Sequence, residues 1–246
     1  MGEAEGTLAI RYAAMSDTGL RREVNEDSVY AGPWLLAVAD GLGGHAGGEV
    51  ASAAAIDALR PLDIQVPAGE LLSALSQAVR RASTAISDLV KADPALEGMG
   101  TTLTALLLSG SQLGLAHIGD TRAYLVRDGA VSQLTHDHTL VQSLVDEGKI
   151  TPGEAGAQPI RSLLLRALGD GSSEPDLRLV EARAGDRYLL CSDGLHEVAA
   201  AADITRVLLT VGDPDQGAAD LVALAIDGGG PDNISCIIAD LVPPGQ

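Results

Sequence analysis

With 246 residues, 46% of them hydrophobic, the chain is long enough to bury one sizeable core, and nothing in it forces a second domain. A count of 16 Lys and Arg against 34 Asp and Glu sets the formal charge at -18, which repels a nucleic-acid backbone or an anionic membrane surface. No stretch approaches the ~18 apolar residues of a membrane span, and the opening MGEAEGTLAI is acidic where a secretory leader is basic, so a soluble, cytoplasmic single domain over 1–246 is expected, with no nucleic-acid partner and no membrane insertion. There is no Phe, one Trp and four Tyr, so the core must be built from Leu, Val, Ile and Ala, and stacking platforms for single-stranded nucleic acid are missing.

Residues 7–13 alternate well enough for a strand and run into SDTGLRREVNEDS, residues 16–28. This charge-dense loop reads either as a solvated connection or as a functional one: Arg22 lies four residues before Glu26, and Glu26-Asp27 directly precede a second strand over 28–31. An arginine binds phosphate bidentately, and neighbouring acids hold metal-bound water. An apolar run over 34–39 then enters VADGLGGHAGGEVAS, residues 38–52, which presents Asp40 at the end of a strand. No Gly-Lys-Ser/Thr follows these glycines, so they shape backbone and do not form a nucleotide P-loop. Helices are predicted over 48–59 and 69–91; in the second, Leu71, Leu72, Leu75, Val79, Ala82, Ile86, Leu89 and Val90 recur at spacings of three and four and are expected to form one core face.

After a turn-rich connection over 92–100, β-patterned runs at 101–108, 112–118 and 122–126 are joined by SGS, GDT and RDG, which predicts an antiparallel meander with Asp120 in one of its tight turns. His136 and His138 form a His-x-His pair without further His or Cys ligands at suitable spacing, which argues against zinc. A short helix is expected over 140–147. The Gly- and Pro-rich stretch 148–159 reads as a lid, part of a flap at about 137–165, and 160–168 returns to apolar residues. A strand over 186–192 ends in Asp193-Gly194, echoing Asp40-Gly41; helices follow at 202–211 and 216–226, then GGGPDN and a strand over 234–241 with Asp232 and Asn233 at its entrance. Cys191 and Cys236 lie in apolar strands and read as core fillers, a redox pair being the alternative. Strands and helices do not alternate regularly, so the pattern favours an α+β sheet sandwich covered by helices over a doubly wound parallel sheet.

Asp40, Asp120, Asp193 and Asp232 all fall at strand ends or tight turns, and four such carboxylates suggest a metal site. Unpaired carboxylates ~4 Å apart repel by about 4 kcal/mol per pair at an effective dielectric of 20, so such a cluster wants cations. An all-oxygen ligand set favours magnesium or manganese. Two such ions acidify a bridging water for in-line attack on phosphorus, a route that needs no phosphoenzyme and no cysteine nucleophile.

SDTGLRREVNEDS, VADGLGGHAGGEVAS, GMGTTL, GDTRAYLVRDG, LTHDHTLV, CSDGL and GGPDNIS, in this order, closely resemble the bacterial metal-dependent protein phosphatases of type 2C, over nearly the whole chain. The resemblance implies a central β-sandwich of two mostly antiparallel sheets flanked by helix pairs, with manganese or magnesium in a cleft at one end. It also implies a monomer hydrolysing phosphoserine and phosphothreonine in proteins and so reversing bacterial Ser/Thr kinase signalling. By motif, Asp40 is expected to bridge two metals, the Gly41 carbonyl to bind the second, and Asp193 and Asp232 the first. Glu26 would act on the second metal through water, Asp27 and Asn233 would support this arrangement, and Arg22 would grip the substrate phosphate. A third metal is expected at Asp120, shared with Asp193 and completed by Ser162. Two positions depart from the family. Leu42 stands where animal members carry a histidine suited to general acid work, leaving His45 as a candidate acid or substrate contact, and Leu165 stands where many bacterial relatives carry threonine. The alternatives are a catalytically silent phosphoprotein-binding relative and an enzyme for small phosphate esters.

Overall fold

Because the central strands of the chain bury both their faces, the direction in which alternate side chains point decides how the layers stack. The computed structural model describes residues 8–43, 47–156, 158–169 and 174–245. Its elements are β1 (Ala9–Asp17), β2 (Asp27–Ala31), β3 (Leu35–Leu42), α1 (Gly47–Leu59), α2 (Leu71–Ala92), β4 (Gly100–Thr101), β5 (Leu103–Ser109), β6 (Gln112–Ile118) and β7 (Arg122–Arg127). They continue with β8 (Ala130–Gln133), α3 (Leu140–Asp146), α4 (Pro152–Ala155), β9 (Asp176–Glu181), β10 (Arg187–Cys191), α5 (Asp193–His196), α6 (Ala201–Thr210), α7 (Pro214–Asp227) and β11 (Ile234–Val242).

Two antiparallel sheets face each other. One has the order β1-β11-β10-β7-β8; the other runs β2-β3-β5-β6-β9, with β4 paired to β3. On β3, Leu36 and Val38 point into the space between the sheets, where they meet Leu106, Tyr188, Leu190 and Ile237. Their neighbours Leu35, Ala37 and Ala39 point the other way, against Ala51, Ala55 and Leu59 of α1 and Leu75 and Val79 of α2. On the opposite side Leu189, Ile234 and Ile238 pack under Ile204, Val207, Ala218 and Leu221 of α6 and α7. The result is the expected α+β sandwich, helix pair on sheet on sheet on helix pair. Cys191 and Cys236 are opposed across β10 and β11 and lie fully buried in this last layer, as core fillers do. No helix among the described residues is long and apolar enough to cross a membrane.

The predicted meander is only half present. β5 and β6 form a hairpin, but the run at 122–126 leaves their sheet: β7 pairs with β10 and β8 in the other one, and the far edge of β6 is taken by β9, a strand the sequence pattern did not reveal. GDT is therefore a crossover between sheets. Gly119 makes it with φ +102, and a Cβ there would stand 2.5 Å from the Thr102 side chain, so the chain turns only because this residue has none. The lid segment also has structure, since α4 is closed by a reciprocal capping box between Thr151 and Glu154.

Asp63 fastens the edge of the second sheet. Its carboxylate accepts the Trp34 and Leu35 amides and the Tyr30 hydroxyl, at 2.9, 3.1 and 2.8 Å, and so satisfies the turn between β2 and β3. Asp63→Ala is expected to lower stability by about 2 to 3 kcal/mol, because charge-assisted bonds are lost and two amides are left without acceptors. Urea unfolding of the purified variant reads this directly.

Candidate active site

Strand ends at one edge of the sandwich converge on a cleft of about 250 Å³ lined by Arg22, Asp40, Gly41, Asp120, Ser162, Asp193 and Asp232, together with Leu42, Arg161, Leu164 and Glu197. Asp40 comes from β3, Asp193 from the first residue of α5, Asp120 from the β6–β7 crossover and Asp232 from the loop before β11. These acids are 39 to 192 residues apart in sequence, further than any local pattern reaches, and the sandwich brings them together.

Each is held by backbone bonds that local reading does not show. Thr102 Oγ1 accepts from the Asp40 amide at 3.0 Å, and both the Thr101 hydroxyl and the Thr102 amide donate to the Asp40 carbonyl. This assigns a task to GMGTTL, whose threonines the motif alone left without a role. His196 Nε2 donates to the Asp120 carbonyl at 2.9 Å, and His138 Nδ1 accepts from the Gly119 amide at 3.1 Å, so two imidazoles grip the crossover. Asn233 braces the charged loop: its Oδ1 accepts from the Glu26 amide at 2.8 Å, and its Nδ2 donates to the carbonyls of Thr18 and Val24. Gly194 lies so close to Asn233 that a Cβ would fall 2.0 Å from its carbonyl oxygen.

Glu26 and Asp27 sit behind the cleft. Asp27 is the direct cross-strand partner of Asp40 and accepts from Ser192 Oγ at 2.7 Å. Its other oxygen, and Glu26 Oε1, are buried and find no hydrogen-bond partner among the described residues. Glu26 reaches this position because Gly48 has no side chain; a Cβ there would lie 2.5 Å from Oε1. Arg22 bonds Asp232 Oδ2 at 2.8 Å and reaches Glu26 only at 3.5 Å, so its fork belongs to the cleft rim and not to its own helical-spacing neighbour. His45 lies outside the described residues.

Crowding shows in the proton affinities. Burial, followed by repulsion from Asp27 and Asp193, holds the Asp40 carboxyl well above the usual range; burial and then Asp120 and Asp232 do the same to Asp193. Burial, with Asp137 next, raises Asp120 to about 7, and burial raises Asp27 to about 6 against the opposing hydrogen bond from Ser192. Asp40 and Asp193 are partly open to cleft water, which screens their charges from one another.

The donor set suits a hard cation. All candidates are oxygens, the acids repel one another, and two buried carboxylate oxygens lack donors. Among the described residues, no three His, Cys, Asp or Glu side chains stand ready to hold an ion as they are. The Arg22 guanidinium bonds Asp232 Oδ2, and Ser192 bonds one oxygen of Asp27.

Residues 21–224 match the family description "Protein phosphatase 2C". The chain belongs to the protein phosphatase 2C family. It is 56% identical over 239 residues to the serine/threonine protein phosphatase PstP of Mycobacterium tuberculosis, a match that covers 97% of this chain and 46% of that protein. The chain thus spans less than half the length of that relative. The serine/threonine phosphatase stp of Listeria innocua is 35% identical over 211 residues, covering 84% of each chain. The fold agrees with solved relatives: it superposes on the Mycobacterium tuberculosis PstP structure with a TM-score of 0.93, covering 96% of this chain and 100% of that one at 56% identity. A PstP catalytic domain in complex with 2 manganese ions superposes with a TM-score of 0.91 at 55% identity, covering 96% of this chain and 100% of that one.

Within this family frame, the structure brings Arg22, Asp40, Gly41, Asp120, Ser162, Asp193 and Asp232 to one cleft and puts Glu26, Asp27 and Asn233 immediately behind it. The sequence reading missed the threonine pair at 101 and 102, His196, and the ion pair between Arg161 Nε and Glu197 at 2.8 Å that closes the flap side of the cleft. No local signal marks them, because each acts on a residue more than thirty positions away.

Proposed function

We propose that this chain is a single metal-dependent catalytic domain that removes phosphate from phosphoserine and phosphothreonine in proteins modified by Ser/Thr kinases. The observation that carries this reading is the cleft itself: carboxylates from four separate elements, of which Asp40, Asp120 and Asp193 are held at raised proton affinity by burial and mutual repulsion, with an arginine at the rim. Asp40, Asp193, Asp232 and the Gly41 carbonyl would hold two divalent cations, manganese or magnesium, with Glu26 acting through water. Asp120, with Asp193 and Ser162, would hold a third. When bound, such ions neutralise charge on the phosphoryl oxygens and acidify the attacking water.

The chain's own groups do the rest. Arg22 presents a side chain that is 46% exposed, and its fork matches the geometry of a phosphate. Its partner Asp232 is one of the acids that would hold a cation, and a guanidinium beside that acid would stand next to a phosphate bound there. Asp27 and Asn233 keep Asp40 and Glu26 in place. Leu42 carries no proton, so protonation of the leaving oxygen falls to water or to His45. Phosphate release from a phosphothreonine peptide should require manganese, stop with EDTA, and fall by about 10³-fold or more in Asp193→Ala. A folded protein that releases no phosphate with manganese present would mark a silent relative, and release from metabolite phosphates but not peptides would mark a small-ester enzyme.

A further inference from the structure

Leu42 and Leu165, the two departures from the family pattern, meet in one groove of about 500 Å³, which is also lined by Val90, Met99, Leu164 and Leu168. Leu42 and Leu164 line the carboxylate cleft as well, so the groove opens directly from it. The walls are firm. Leu168 and Thr101 exchange both backbone hydrogen bonds at 2.8 Å, and the Thr101 hydroxyl donates to the carbonyl of Asp40. Leu165 is tied by its amide to the His138 carbonyl, yet its side chain is 54% exposed. Leu165 thus leaves an apolar face open in a groove whose other end is the acidic cleft.

We propose that this groove receives an apolar side chain of the phosphoprotein substrate, within two residues of the phosphorylated one; the proposal rests on the phosphatase reading above. Leu42 follows Asp40 by two strand residues, about 6.6 Å at ~3.3 Å each, which is the reach of an extended substrate over the same count. The chemistry of the walls selects against polar occupants. The cations at the rim are already neutralised, Lys91 by Asp88 at 2.8 Å and Arg166 by Asp176 at 2.9 Å, so an acidic side chain would lose water against leucine without gaining a partner. Loss of the two polar family side chains, histidine and threonine, in favour of leucine therefore changes what flanks the phosphoresidue and leaves the acids untouched.

The test is steady-state kcat/KM with manganese on phosphothreonine peptides that carry Leu or Ser at each of the two positions before and after the phosphoresidue. Each value is divided by that of the same enzyme on 4-nitrophenyl phosphate, so that differences in folded or metal-loaded protein cancel. At one position at least, Leu is expected to be preferred about tenfold, the scale of one apolar side chain entering a pocket. The preference should fall to within about threefold in Leu165→Ser and in Leu42→Ser. Equal rates for Leu and Ser at all four positions, or a preference unchanged in both variants, would overturn the subsite while leaving the phosphatase reading intact. A concentration-dependent dimer lost in Leu165→Ser, without peptide preference, would assign the groove to a second copy of the chain and equally overturn it. Absence of turnover on peptides and on the aryl ester alike, with manganese present, would instead defeat the phosphatase reading and the subsite with it.

Discussion

Asp40→Asn is expected to cut metal-supported phosphate release by about 10³-fold or more and, at the same time, to stabilise the metal-free protein. Asp40 directly opposes Asp27 in the β2–β3 register, and Asp193, Asp120 and Asp232 repel it from the other side of the cleft. Two carboxylates directly opposite across antiparallel strands destabilise the sheet by on the order of 1 kcal/mol. Asparagine keeps the shape of the side chain, and the bonds that hold position 40 run through its backbone amide and carbonyl, to Thr101 and Thr102. The substitution thus removes charge and leaves the scaffold standing. Phosphate release with manganese and thermal unfolding in EDTA give the two readouts. If activity and EDTA stability fall together, Asp40 is structural; if activity survives, the acid has no part in the chemistry.

The second large effect is expected at Gly41→Ala. A Cβ at this position would stand 2.1 Å from the Gly48 carbonyl oxygen and 2.6 Å from that of Glu26. Both obstacles are backbone, so no side chain can rotate out of the way, and α1 must back off from β3 or β2 must shift. Overpacking of this kind costs about 3 kcal/mol, and the same movement displaces Glu26, whose Oε1 sits against Gly48. Gly212→Ala serves as the control: nothing lies within 4 Å of its added Cβ and its backbone is ordinary, so its stability should stay within about 0.5 kcal/mol of the parent. Denaturant midpoints of the two variants measure the contrast. A loss at Gly41 no larger than at Gly212 would show that α1 rides freely over β3.

Much of this molecule could be read along the chain. The apolar run over 34–39 and the pattern over 234–241 predict strands, and these are β3 and β11, both largely buried. The three- and four-residue spacing from Leu71 to Val90 predicts the buried face of α2, which holds Leu71, Leu75, Val79, Ala82 and Ile86, while Leu72 and Val90 are half-buried and Leu89 is exposed where the helix runs past the sheet. Acids delivered at strand ends, Asp40 and Asp193 among them, point to a shared cleft, and both line it. All of these are local properties: periodicity reports which face of an element is buried, and a turn residue reports where the strand stops.

What periodicity cannot report is the neighbour that covers that face. The run at 122–126 alternates as a meander strand would, yet its partners are β10 and β8, and β6 finds β9 across the 57 residues that separate Ile118 from Asp176. Those pairings are decided by which combination of sheets closes the core, a sum over residues far apart in sequence. Only that closure brings Asp120 beside Asp193, sets Thr101 and Thr102 under Asp40, stretches Asn233 to the loop of Glu26, and turns Arg22 towards Asp232. The sequence by itself determined the chemistry available, carboxylate oxygens and an arginine; the tertiary structure alone decided which of them share a cleft, because the distances between them are set by packing and not by spacing along the chain.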